Sequence, residues 1–230
     1  MNRKREFLLL QVNDALFPIG GYSHSYGLET YIQKELVTNE EQAEEYVKRK
    51  LTQNILYNDL FYCRLAYEAA AEGDMDEICR LEELLEAGKV PREIREASRK
   101  LGSRFVKTLQ IPGVEYEKSV FEEYVQRRKG KAVNHVIAYG VFCAAIGVAI
   151  EECLEHFLYA QASAMVTNCV KTIPLSQTTG QRILISCYGE MEEMLKKVRE
   201  LPLSFLGIGA PGFDVRCMQH EALYSRIYMS

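Results

Sequence analysis

The 230-residue sequence has no excess of basic charge: 28 Lys and Arg stand against 32 Asp and Glu, for a net charge of -4. Nucleic acid, which requires a basic face, is therefore not an expected partner. Closely spaced cysteine pairs are missing too. The seven cysteines are odd in number, and Cys63, Cys79, Cys143, Cys153, Cys169 and Cys187 lie inside apolar helical patterns. That pattern suits buried thiols in a reducing cytoplasm and argues against a disulfide framework. No run of alternating β-branched residues marks a strand. No Gly-x-x-x-x-Gly-Lys-Ser/Thr segment exists to cradle phosphates, so the chain is not expected to hydrolyse nucleotides. The apolar run at 7–12 is cut by Asn13 and Asp14, and no small-residue cleavage site follows, so no signal peptide is expected. Residues 133–150 are nearly uncharged and long enough to span a bilayer. They nevertheless contain Asn134 and His135 and run into Glu151 and Glu152, which fits a buried central helix and no membrane.

What the sequence does contain is helical periodicity. Apolar residues at 8, 9, 12, 15 and 16 predict a first helix ending before Pro18, and Leu28, Ile32 and Leu36 predict a second opened by His24 or Ser25. Thr38 with Glu41 has the spacing of a capping box. It would start one long helix, whose stripe runs from Ala43, Val47, Leu51 and Ile55 through Tyr62, Leu65, Ala66 and Ala69. Gly73 and Asp74 end that helix and cap the next, and Pro91 opens another that stops before Pro112. The basic run at 127–131 reads as a solvated helix end. Gly140, Ala144 and Gly147 would let neighbouring helices approach the central segment. Pro174 stops the helix at 154–170, and Ser176 caps a last long stretch at 177–198. Asp214 would cap a final helix. The expected fold is all-α, a single bundle-like domain of about ten helices over residues 1–230, with a mobile, glycine-rich loop at 201–213.

Chemistry concentrates in two places. Between the first two helices, Pro18-Ile19-Gly20-Gly21-Tyr22-Ser23-His24-Ser25-Tyr26-Gly27-Leu28-Glu29 crowds glycines, hydroxyls and a histidine into one turn. A hydrolase elbow would need Gly-x-Ser-x-Gly on a strand-to-helix turn, and Gly21-Tyr22-Ser23-His24-Ser25 fails both tests. At the other end, residues 214–230 hold His220, Glu221, Tyr224, Ser225 and Arg226 among apolar neighbours. Cys217 and His220 lie three apart on one helical face and make half a metal site. With His24 they define the alternative reading, a stand-alone helical metal-binding protein or metalloenzyme.

Three ordered segments carry a family resemblance. Leu9-Leu10-Gln11 with Asp14 and the stretch from Phe17 to Glu29 form the first, and Val170-Lys171-Thr172-Ile173-Pro174-Leu175-Ser176-Gln177 with Gly180-Gln181 the second. Met218-Gln219-His220-Glu221 through Tyr224-Ser225-Arg226 to Ser230 is the third. Together they resemble the urease accessory proteins of the UreF family. Many members have Arg and Gly where this chain has Lys171 and Ser176, and Cys217 lies outside the pattern. The resemblance implies a cytoplasmic, all-α homodimer with no catalytic or metal site and no cofactor of its own. Its partners would be the UreD/UreH accessory protein, the GTP-binding UreG GTPase and apo-urease, with nickel handled by the assembly. It further implies a partner-binding surface made by Tyr22, Ser23, His24, Ser25 and Glu29 with His220, Glu221, Tyr224, Ser225 and Arg226. Arg226 stacking on Tyr22 would fix tail to loop.

Overall fold

A computed structural model describes residues 3–230. It contains helices and no strand among the described residues. The order is α1 (Arg3–Asn13), a 3-10 turn (Gly21–Ser23), α2 (Leu28–Gln33), α3 (Glu40–Lys50), a π-helical stretch (Leu51–Leu60), α4 (Phe61–Glu72), α5 (Met75–Gly88) and α6 (Arg92–Leu109). Then come α7 (Val120–Arg127), α8 (His135–Ala145), α9 (Ile150–Thr172), α10 (Gln177–Ser186), α11 (Tyr188–Glu200), a 3-10 turn (Leu203–Phe205) and α12 (Pro211–His220). No helix among the described residues is long and apolar enough to cross a membrane.

The core is built around α8, where every residue from Val136 to Ala145 is buried. The small-residue reasoning holds at Gly140, where a Cβ would lie 2.6 Å from the Cys63 carbonyl oxygen and 3.1 Å from the Ala66 Cβ. Backbone-to-backbone approach of α8 and α4 depends on that missing atom. Gly147 does something else. The Gly147 N–H bonds to Ala144 O and the Val148 N–H to Cys143 O, with Gly147 at φ +71°. This paired bond pattern terminates a helix. It splits the expected 133–150 segment and starts α9 at Ile150.

The long helix is continuous from α3 to α4, but its middle is wound with i→i+5 bonds. The buried positions there, Leu51, Ile55, Leu56, Leu60 and Phe61, step by one, four or five residues. The wider turn keeps them facing inward. Its cap lies one residue later than expected: Asn39 Oδ1 accepts from the Gln42 N–H at 3.0 Å, while Thr38 donates its N–H and Oγ1 hydrogen to Gln42 Oε1. Asp74 and Ser176 cap as expected, accepting from the N–H groups of Glu77 and Thr179. The stretch at 177–198 is two helices meeting at Cys187.

The basic run is not wholly a solvated end. Arg128 is buried, donating to Glu83 Oε1 at 2.6 Å and to the Ala132 carbonyl. Next to it, the buried Glu82 accepts from the Tyr124 hydroxyl and from the main chain and side chain of Asn134. Finally, the last helix starts at Pro211 and ends at His220, so the following tail is not helical.

Candidate functional site

The turn after α1 is shaped by two glycines. Gly20 has φ +87°, and a Cβ there would lie 2.4 Å from Arg104 Nη1. Gly27 has φ +88°, and a Cβ would lie 2.7 Å from Cys217 Sγ on α12. Both positions have a left-handed backbone that favours glycine, and at Gly27 the Cys217 main-chain nitrogen, 3.2 Å from a Cβ, also closes the space. Between them, Tyr26 is forced to φ +53°, uncommon for a side chain of that size. Ser25 does not open α2: the N-cap is Gly27, and Ser25 Oγ donates to Ser230 O at 2.8 Å.

That bond is one of many joining loop to tail. The N–H groups of Ser25 and Tyr26 also reach Ser230 O, at 2.7 and 3.0 Å, and the Met229 N–H donates to Ser23 O at 2.8 Å. His24 Nδ1 lies 2.9 Å from Ser230 Oγ. Burial, followed by the charges of Lys100 and Arg104, lowers the His24 pKa to about 4, so the ring is neutral at ordinary pH.

Below this seam, two carboxylates hold the tail. Glu29, almost wholly buried, accepts from the Ile227 N–H at 2.6 Å, from the Tyr228 N–H at 3.0 Å and from His220 Nε2 at 3.0 Å. His220 is fully buried, and its Nδ1 lies 2.6 Å from Glu93 Oε2. Glu93 Oε1 accepts from Arg226 Nη1 at 2.7 Å. A carboxylate oxygen faces each nitrogen of the imidazole, so the three groups share two bridging protons. Arg226 adds a positive charge beside Glu93. Such pairing is what lets charges remain buried. Around the edge, Arg92 donates to Glu221 at 2.8 and 3.2 Å, Gln33 to Ser225 O at 2.7 Å and Thr30 to Arg216 O at 2.8 Å.

The structure therefore brings together Ser23, His24, Ser25, Glu29, His220 and Arg226, with Glu221 and Ser225 at the margin. Tyr22 and Tyr224 point outward, 68% and 106% exposed. Arg226 does not stack on Tyr22; its guanidinium is held by Glu93, whose carboxylate offers a stronger, directed partner than an exposed ring. Sequence reasoning missed Glu93 and Arg92 on α6, Gln33 on α2 and Asn168 on α9, whose amide donates to His24 O at 2.9 Å. Glu93, two residues after Pro91, reads in sequence as an ordinary first-turn acid favoured by the helix dipole. Nothing local separates that role from a buried anchor.

The metal reading finds no assembled site. Cys217 donates its S–H to Tyr26 O at 3.4 Å, and burial raises its pKa, away from the thiolate a metal needs. Both nitrogens of His220 already face carboxylates, and His24 pairs with Ser230. Among the described residues, no group of three or more His, Cys, Asp or Glu is placed to hold a metal ion.

A family model described as UreF matches residues 37–188. The chain is 40% identical over 225 residues to the urease accessory protein UreF of Haemophilus influenzae strain Rd, covering 96% of this chain and 94% of that protein. It is 37% identical over 226 residues to the protein of the same name from Actinobacillus pleuropneumoniae serotype 5b, covering 96% and 97%. For the protein of that name from Bacillus sp. strain TB-90 the identity is 33% over 224 residues, again covering 96% and 97%.

Proposed function

The chain belongs to the UreF family of urease accessory proteins, and on that premise we propose that it is a non-catalytic assembly scaffold whose loop–tail surface engages the other accessory proteins. In this reading it binds the UreD/UreH accessory protein and recruits the UreG GTPase. The resulting complex loads nickel into apo-urease in the cytoplasm, with this chain as a homodimer. Nickel is cargo of the assembly and GTP belongs to the partner, so the chain needs no cofactor of its own.

The observation that supports this best is the contrast across the tail. Its inner side is fixed by Glu29, His220 and Glu93, while Tyr224, Ile227 and Met229, with Tyr22 of the loop, are more than half exposed. Ordered aromatic and aliphatic side chains that cover nothing of their own protein are the material of recognition sites.

The test is co-purification with the accessory proteins. Tyr224→Ala combined with Ile227→Asp alters only exposed positions, so helical signal and thermal stability should stay within about 0.5 kcal/mol of the parent. Recovery of the UreD/UreH and UreG partners should fall at least tenfold, as loss of an aromatic anchor predicts. Undiminished recovery would exclude this face as the docking surface.

A further inference from the structure

A cavity of about 310 Å³ lies beneath the loop–tail contact, between the α3 end of the long helix, α6, α8 and α9. Its walls carry polar side chains that the fold does not satisfy. Lys50 is 5% exposed, yet among the described residues its Nζ forms no ion pair or hydrogen bond; it lies over the face of Phe213, 4.6 Å from the ring centre. The side chains of Asn54, Ser98 and Gln161 also line the cavity and form no hydrogen bond among the described residues. The Nε2 of His135, a further wall residue, is buried without a partner. Lys50 and Ser98 are buried, the ring nitrogen of His135 is buried without a partner, and the half-buried Asn54 and Gln161 stand at the same space. Buried polar groups are almost always paired, so Lys50 and His135 point to an occupant that pairs them.

The chemistry of that set is one-sided. Lys50 offers three donors, the two amides and the hydroxyl offer more, and Lys50 brings a full charge. The acids nearby do not answer it. Asp59 is taken by Lys89 at 2.9 Å. Asp214 makes no ion pair with Lys50, and burial raises its pKa, moving it toward the neutral form. Burial also lowers the Lys50 pKa, while Cys217, Asp59 and Asp214 pull it back up without forming an ion pair with it.

We propose that this cavity is a binding site for a small monocarboxylate anion, with Lys50 as its counter-charge and the amides of Asn54 and Gln161 as donors to its oxygens. One unpaired ammonium matches one negative charge, and the volume admits a molecule of a few heavy atoms. The site also adjoins the docking surface through bonded contacts: Asn168 and Cys217, two wall residues, donate to the main-chain oxygens of His24 and Tyr26. An occupant would touch residues that set the shape of the loop. This site is independent of the family's assembly role and stands or falls separately from it.

The experiment uses the full chain with sodium acetate as probe, against sodium chloride at equal ionic strength, sodium phosphate and magnesium chloride, read by calorimetry and thermal unfolding. Acetate should bind saturably and raise the Tm by several degrees once well above its Kd. Chloride, phosphate and magnesium should not. Lys50→Met should weaken acetate binding by about tenfold or more, since it removes a charge-assisted hydrogen bond. Gln161→Leu keeps the charge and should weaken binding less, and it supplies the readout if Lys50→Met fails to fold. Equal effects of acetate and chloride, stabilisation by magnesium instead, or unchanged acetate affinity in a folded variant would overturn the proposal and leave a cavity filled by solvent.

Discussion

Two contacts in this molecule are held together in opposite ways. Where α8 meets α4, the fit is made from absent atoms: Gly140 lies against the Cys63 carbonyl and the Ala66 methyl, and the surrounding side chains are aliphatic, aromatic or thiol. Where the tail meets the loop, the fit is made from charge: Glu29, His220, Glu93 and Arg226 balance one another, and the apolar side chains face out. The first contact is sensitive to volume. The second tolerates changes in volume at its surface but not the loss of one of its buried members, Glu29 or His220. A scaffold that must keep its shape while presenting a surface benefits from both, because damage to the second need not reach the first.

The sharpest way to break the comparison is to add volume to the core. Gly140→Leu would push a branched side chain into backbone atoms of α4 that cannot move without parting two helices. Overpacking costs about 1–3 kcal/mol where side chains can shift and more where, as here, backbone is struck, which is a large part of the stability of a typical domain. Urea unfolding followed by helical signal should show the transition lost or shifted to very low denaturant. A near-parental midpoint would mean that α8 and α4 are not locked backbone to backbone.

The matching change at the other contact is Glu29→Ala. It strands His220 Nε2 and the N–H groups of Ile227 and Tyr228, and each buried group left without a partner costs about 1–3 kcal/mol. Because the tail adds little to the core, that cost should appear locally. Hydrogen exchange at Ile227 and Tyr228 should speed up by two orders of magnitude or more, while the urea midpoint moves far less than in Gly140→Leu. Equal loss at both would show that the two contacts are one cooperative unit.

The two contacts also differ in how legible they were. The core could be read because helical spacing and small residues report it directly: the buried face of α8 and the role of Gly140 follow from the 133–150 run. Where that reading failed, as at Gly147 and the π-helical turns, the deciding factor was backbone hydrogen bonding, which side-chain pattern does not encode. The loop–tail site was legible as two clusters of chemistry and not as a network. Glu29 and His220, bonded to each other, are 191 residues apart, and the other ring nitrogen meets Glu93, an acid on a third element with no local mark. Charge pairing across such distances depends on tertiary placement alone. For the same reason Arg226 was assigned to the aromatic Tyr22 when a carboxylate was within reach.

Histidines allow both regions to be compared in one titration. Burial lowers the pKa of His24, in the loop, and of His135, at the core cavity, to about 4. The unfolded chain titrates its histidines near 6.5. A base with a lowered folded pKa contributes full stability above the unfolded value and loses it as pH falls from about 6.5 toward about 4. Each ring should cost roughly 1–2 kcal/mol by pH 5.5. Glu82, whose pKa burial raises, works in the opposite direction and offsets part of the loss. Urea midpoints at pH 7.5 and 5.5 should therefore differ, and His135→Leu should remove its own share of the difference. An unchanged midpoint would mean that water reaches both rings.

The smallest expected effect comes from Arg226, and it tests which members of the charged network matter. Its side chain is about two-fifths exposed, while Glu93 is largely buried and keeps a second partner in His220. An exposed ion pair contributes at most about 1 kcal/mol, and salt screens it further. Arg226→Ala should therefore leave the urea midpoint unchanged within error and speed exchange at Ile227 by no more than about fivefold. Paired with Glu93→Gln in a double-mutant cycle, it should show a coupling well below the loss caused by Glu29→Ala. A coupling as large as that loss would mean that the arginine, and not the buried imidazole, neutralises Glu93, and that the tail is held from its exposed side.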